Sequence, residues 1–229
     1  MRKKKMHTPV RTRKQRALRR LMLLLLVLAV VSWLFPAVNL TPRQAIRRGE
    51  ERAGARSTAV VTWQRVPDAN RGLLACLTAN DSGVVLGFTR VSLLGWEVFQ
   101  GMELPCDGDE PVYAQRHILS YAGEEIRSVD GFFGRVDDPA ILRLEVSLRT
   151  PVAWDENGRP ARWEELGCIP FEEDTWHTLD GHRYFLALTP KLQFVEDPHA
   201  ECFLLGYDTN DQLVQELWVQ RLSGIGFGS

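Results

Sequence analysis

Two imidazoles and four carboxylates fall within one short stretch of this chain, Glu172-Glu173-Asp174-Thr175-Trp176-His177-Thr178-Leu179-Asp180-Gly181-His182. These are the ligand types that Zn²⁺ or another divalent ion takes, so a metal-assisted surface hydrolase working through residues 172–182 is one chemistry the sequence offers. The candidate ligands are His177, His182 and Asp180. Their spacing weighs against the idea, because H-E-x-x-H places two histidines one helical turn apart with a glutamate between them. Asp180-Gly181 reads more simply as a turn feeding a strand, and a solvated loop is the preferred reading. No residue is assigned as catalytic or cofactor-binding, and no cofactor is expected.

Other chemistries have weaker support. The chain has no G-x-S-x-G elbow and no Walker loop, and its G-x-G-x-G run, Gly224 to Gly228, has no helix after it. Asp208-Thr209-Asn210-Asp211 has oxygens for calcium but lacks the Gly and distant Glu of an EF-hand loop, so a hairpin turn is expected. His117, alone on an apolar strand, has no identifiable nucleophile to serve as base. Tryptophans 63, 96, 154, 163, 176 and 218 could line a sugar or peptide groove, but their apolar settings favour core packing.

The strongest feature is physical. Leu21 to Leu40, LMLLLLVLAVVSWLFPAVNL, carries no charge, and twenty helical residues span about 30 Å, the hydrocarbon thickness of a bilayer. It is read as a transmembrane signal-anchor, since a cleaved signal has a shorter apolar core and a small-x-small exit that is missing here. Ten Lys and Arg and no acid precede Leu21, which places residues 1–20 in the cytoplasm. All 29 Asp and Glu follow the span, against the remaining 18 Lys and Arg, so the overall charge of −1 is a cancellation between a basic tail and an acidic remainder. Orientation and attraction to anionic lipid headgroups account for the tail, and a nucleic-acid partner is not expected.

Beyond the span, Thr41-Pro42-Arg43-Gln44 has the capping signature of a short juxtamembrane helix. Residues 41–56 are expected to form this helix as a solvated stalk. Residues 57–222 then read as one β-rich extracytoplasmic domain or two packed modules, about 57–126 and 127–222, with 223–229 as a flexible tail. The clearest strand is Ile141 to Arg149, where Leu142, Leu144, Val146 and Leu148 alternate with polar residues. Further strands are predicted over 59–66, 73–78, 84–92, 96–102, 112–121, 128–136, 183–189, 202–207 and 213–222. Turn signals separate them at 80–83, 137–139, 155–158 and 208–211. Only 162–166 and 190–194 have the pattern for a turn of helix. The fold class is therefore mainly β: a transmembrane helix and a juxtamembrane helix followed by an antiparallel, sandwich-like ectodomain.

Three segments, GLLACLTANDSGVVLGFTRVSLLGWEVF, GFFGRVDDPAILRLEVSL and CFLLGYDTNDQLVQELWV, carry a resemblance. With Gly95-Trp96, Gly134 to Pro139 and Tyr207-Asp208 in order, the chain resembles uncharacterised membrane-tethered, β-rich extracytoplasmic proteins of Gram-positive bacteria. The resemblance implies a location on the outer face of the cell membrane and a β-rich fold, and no activity. Cys76, Cys106, Cys168 and Cys202 all lie outside the span, where an oxidising compartment permits up to two disulfides. The expected function is that of a membrane-anchored binding or accessory domain with a protein or cell-wall partner. A divisome-type assembly factor shares the layout, but such factors begin outside with a strand-helix module that the text after Ser57 does not suggest.

Overall fold

The computed structural model describes residues 13–34, 38–53, 58–67, 69, 72–93, 95–122, 126–190 and 199–219. Helix α1 is Arg13–Leu34 and helix α2 is Pro42–Ala53. Twelve strands follow. β1 (Ala59–Arg65), β2 (Leu73–Asn80), β3 (Gly83–Ser92) and β4 (Gly95–Pro105) form a first sheet in that order. β5 (Val112–Ala122), β6 (Ile126–Val136), β9 (Trp176–Leu179) and β10 (His182–Pro190) form a second, ordered β5-β6-β10-β9. β7 (Arg143–Trp154), β8 (Pro160–Pro170), β11 (Glu201–Tyr207) and β12 (Leu213–Val219) form a third, ordered β12-β11-β7-β8. Every pairing is antiparallel.

The second sheet is the middle layer, and strand alternation explains how. On one face Tyr113, Leu119, Val129, Phe133, Tyr184 and Leu186 pack with Leu77, Leu86 and Phe88 of the first sheet. On the other, Val112, Phe132, Val136, Phe185 and Ala187 pack with Leu144, Val146, Leu148 and Leu204 of the third. Residues of β6 thus alternate between two cores, so both faces are apolar where a one-sided sheet would have a wet face. Gly134 is needed in this crowding: a Cβ there would lie 1.9 Å from the carbonyl oxygen of Tyr113 on β5.

Polar groups are also buried between layers, among them an ion pair and a histidine. Toward the third sheet, Arg116 and Asp130 form an ion pair (Nη2 to Oδ1 2.7 Å, Nε donating to Oδ1 at 2.8 Å) with both side chains almost wholly buried. Toward the first, His117 stacks on Phe88 with ring centroids 5.6 Å apart. Neither of its ring nitrogens finds a hydrogen-bond partner among the described residues. Burial pushes its imidazole below the usual histidine range, so it is held neutral.

Several expectations are corrected here. Residues 162–166 lie within strand β8, not a helical turn: Thr150, Pro151 and Ala153 of β7 pair with Glu164, Trp163 and Arg162, and tertiary pairing overrides local propensity. β9 was not anticipated. Residues 191–198, including most of the second expected helical turn, lie outside the described residues, as do 220–229. Helix α2 is not a solvated stalk, because Ala45, Ile46 and Glu50 are buried against the first sheet. The hydroxyls of Thr78 (3.0 Å) and Thr58 both donate to Glu50 Oε1. The capping signature is real: Gln44 N–H donates to Thr41 Oγ1 at 3.2 Å, and Thr41 N–H to Gln44 Oε1 at 3.3 Å.

The apolar segment also ends earlier than Leu40. Val38 and Asn39 are buried in the domain, where the domain's own contacts hold them. No helix among the described residues is long and apolar enough to cross a membrane. The apolar part of α1, Leu21 to Leu34, reaches only about 21 Å at 1.5 Å per residue. All four cysteines are free. Burial raises the thiols of Cys106 and Cys202 to about 11, and that of Cys76 further, so all three stay protonated.

Arg116→Met should cost about 3–5 kcal/mol in urea unfolding by leaving Asp130 charged and unpaired in the core, while adding Asp130→Leu should recover most of the loss. His117 gives a signed pH dependence. Its stabilising neutral form is fully present above the ordinary imidazole value of about 6.5 and is progressively lost on acidification, because the unfolded chain takes the proton first. His117→Leu should flatten the fall in unfolding free energy measured between pH 7 and pH 5.

Candidate functional groove

The middle sheet is incomplete at one edge. β9 is only four residues long and pairs with β10 from His182 to Phe185, so no described strand flanks β10 from Leu186 onward on that side. The chain reaches β9 through a single 3₁₀ turn, Glu173–Thr175, after β8 ends in Pro170. That short link draws the chain away from the middle sheet before it can lengthen β9.

The gap is a groove of about 570 Å³. Thr62 and Gln64 of β1 form one wall. By register they share the face of Leu77 and Ala75, the face turned to the middle sheet. Ile169 to Phe171, at the end of β8, form the opposite wall, and the floor is Leu186 to Thr189 of β10. Phe171 anchors its wall against Phe132 and Phe185, with centroids 6.3 and 5.6 Å away. Gln64 Nε2 donates to the carbonyl oxygen of Leu186 at 3.1 Å. A side-chain amide therefore occupies an acceptor that a neighbouring strand would otherwise use.

Glu172, Asp174, Thr175 and His177 also line it, as do Trp63, Arg65 and Pro67. His177 Nε2 is buried and has no hydrogen-bond partner among the described residues. Burial lowers the imidazole below its usual range, and the nearby Asp174 carboxylate opposes this by favouring the cation. At neutral pH the groove thus presents a neutral imidazole nitrogen beside two acids, the Arg65 guanidinium and strand backbone.

The acid and imidazole cluster of 172–182 is divided by the fold. Asp180 and Gly181 form the two-residue turn of the β9–β10 hairpin, with φ of 51° and 84°, the pattern that fits a right-handed strand twist. His182 lies beyond the turn, where its Nδ1 is 3.2 Å from Asp137 Oδ1. His177, His182 and Asp180 are therefore not gathered around one point, and no group of three His, Cys, Asp or Glu among the described residues could hold a metal ion. Asp208 accepts from the backbone N–H groups of Asn210 (2.8 Å) and Gln212 (2.9 Å), which lowers its carboxyl and makes 208–211 the turn expected from sequence.

The tryptophans disperse likewise. Trp63 lines the groove. Trp176 packs edge-on against Phe185 and Trp163 against Phe203. Trp154 and Trp218 lie half-exposed on the third sheet. Sequence reasoning missed the β1 and β10 contributions, Thr62, Gln64 and Leu186 to Thr189, because ordinary strand residues acquire a role only when a neighbouring strand stops short.

Comparison with known proteins returns no matching family model, no matching curated protein and no matching solved structure. The groove's chemistry is therefore read from its own atoms.

Asp174→Asn should move the His177 imidazole titration, followed by NMR, further down in pH, because the substitution removes the charge that favours protonation while burial remains. An unchanged or raised midpoint contradicts this account of the site.

Proposed function

We propose that the protein is a single-pass, membrane-anchored binding module, with residues 1–20 cytoplasmic and an extracytoplasmic β domain that takes an extended peptide segment of a partner into the groove. The observation carrying the binding reading is the unflanked length of β10 after Phe185, walled on both sides. A strand edge of this kind recognises peptides by main-chain hydrogen bonds, with side chains read by flanking pockets. Leu186 to Pro190 offers about 17 Å of such edge. Gln64 holds one acceptor in the absence of the peptide and yields it on binding.

The anchor reading rests on α1. From Leu21 to Leu28 every residue is exposed, on all sides of the helix, at 39–64%. An apolar surface of that extent calls for an apolar environment. Because Val38 and Asn39 belong to the domain, the span is short, and it crosses with Arg19 and Arg20 snorkelling to the inner headgroups and the bilayer thinned around it. The basic flank sets its orientation. The groove occupies the half of the sheets where the β3–β4 turn lies, the end to which residue 39 is tied, so the favoured partner segment is itself close to the membrane.

The metal-assisted hydrolase has less support, since Asp180 and His182 lie outside the groove. The assembly-factor layout is met only in its tail and anchor, because the domain supplies stacked antiparallel sheets where a strand-helix module would be expected.

Full-length protein in phosphatidylcholine nanodiscs should enrich extended sequences from a phage-displayed decapeptide library. Thr62→Trp, which fills the groove, should weaken the selected peptides at least tenfold, while Leu213→Ser at the opposite end of the sheets leaves them unchanged. No enrichment, or equal binding by Thr62→Trp, rejects the groove as the site.

A further inference from the structure

The turn joining β3 to β4 exposes apolar side chains where the chain enters the domain: Val91 is 55% exposed and Leu93 wholly so. Its root is clamped to residue 39. The Trp96 N–H donates to the Asn39 carbonyl at 2.8 Å, and Asn39 Nδ2 returns a bond to the Trp96 carbonyl at 2.8 Å. Arg48 Nη1 then holds the same segment from α2, donating to the Val38 carbonyl at 2.7 Å and Asn39 Oδ1 at 2.8 Å. Gly95 permits this approach. Its φ is +113°, and a Cβ there would stand 2.3 Å from the Asn39 carbonyl oxygen.

Asn39 lies five positions after Leu34, the last of α1, a reach of at most about 18 Å. On the membrane-anchor reading given above, the β3–β4 turn is therefore held close to the outer leaflet wherever the domain tilts. We propose that Val91 and Leu93 dip into the headgroup and acyl boundary, giving the domain a second contact with the lipid surface that fixes how the groove faces the membrane. The partner is lipid and the chemistry is apolar. The nearest charges, Arg90 and Glu97, neutralise each other in a 2.5 Å ion pair, so the contact does not depend on anionic headgroups.

The test uses the full chain in pure phosphatidylcholine vesicles, with the photoreactive amino acid p-benzoylphenylalanine replacing Leu26, Leu93 or Leu213 in separate preparations. Leu213 follows the β11–β12 turn, at the opposite end of the sheets. Irradiation should give lipid adducts at positions 26 and 93, with at least tenfold less at 213. Adducts at 26 but not 93 overturn the proposal and leave the anchor standing. Adducts at neither overturn both, and equal adducts at 93 and 213 show that the turn makes no selective contact. Adding Val91→Glu to the position-93 protein should lower its adduct yield several-fold without changing the yield at 26, and an unchanged yield at 93 counts against the proposal.

Discussion

Burial of the middle sheet on both faces is the constraint on which the rest of this structure depends. A strand such as β6 must send Phe133 to one core and Phe132 to the other, and Gly134 must let β5 and Phe185 close in. There is little room for polar groups in such a layer. Among the polar groups buried there, the Arg116–Asp130 pair and His117 face opposite cores. Replacing an ion pair of this kind by apolar groups is often neutral, whereas breaking it leaves a charge with no solvent. A neutral histidine without partners is tolerated only while it stays uncharged.

Stacking three sheets also creates the groove. Each outer sheet presents an edge beside the edge of the middle one, β1 on one side and the end of β8 on the other. If β9 ran the length of β10, these edges would simply flank a closed layer. Because β9 stops after four residues, the two outer edges become walls and the backbone of β10 a floor. Unpaired strand edges are hazards for aggregation, and proteins usually blunt or cover them. Here Gln64 does part of that covering by donating to the Leu186 carbonyl.

The entry of the chain follows the same economy of contacts. Helix α2 covers the outer face of the first sheet, with Glu50 satisfied by two threonine hydroxyls. Arg48, on the same helix, closes over Val38 and Asn39. The domain's contacts thus begin at residue 38, four positions after Leu34, the last residue of α1.

Local pattern alone determined most of the strands, their turns and the first cap. Ile141 to Arg149 alternates, Asn80 to Gly83 and Asp155 to Gly158 carry turn chemistry, and Thr41 with Gln44 satisfies its own helix end, all through interactions within a few residues. The three long strands of the middle sheet, β5, β6 and β10, were visible as apolar runs, yet their burial on two faces was not. Other features were decided by partners distant in sequence. PARWEELGCIP looks like a charged turn until β7 pairs with it. AIRRGEERA looks solvated until the first sheet covers Ala45, Ile46 and Glu50. His177 and His182, neighbours in the text, are parted by a two-residue turn, while Thr62, His177 and Leu186, far apart in the text, share one groove. Short-range hydrogen bonding and side-chain period are written residue by residue, but which edge stays open depends on where a strand elsewhere in the chain runs out.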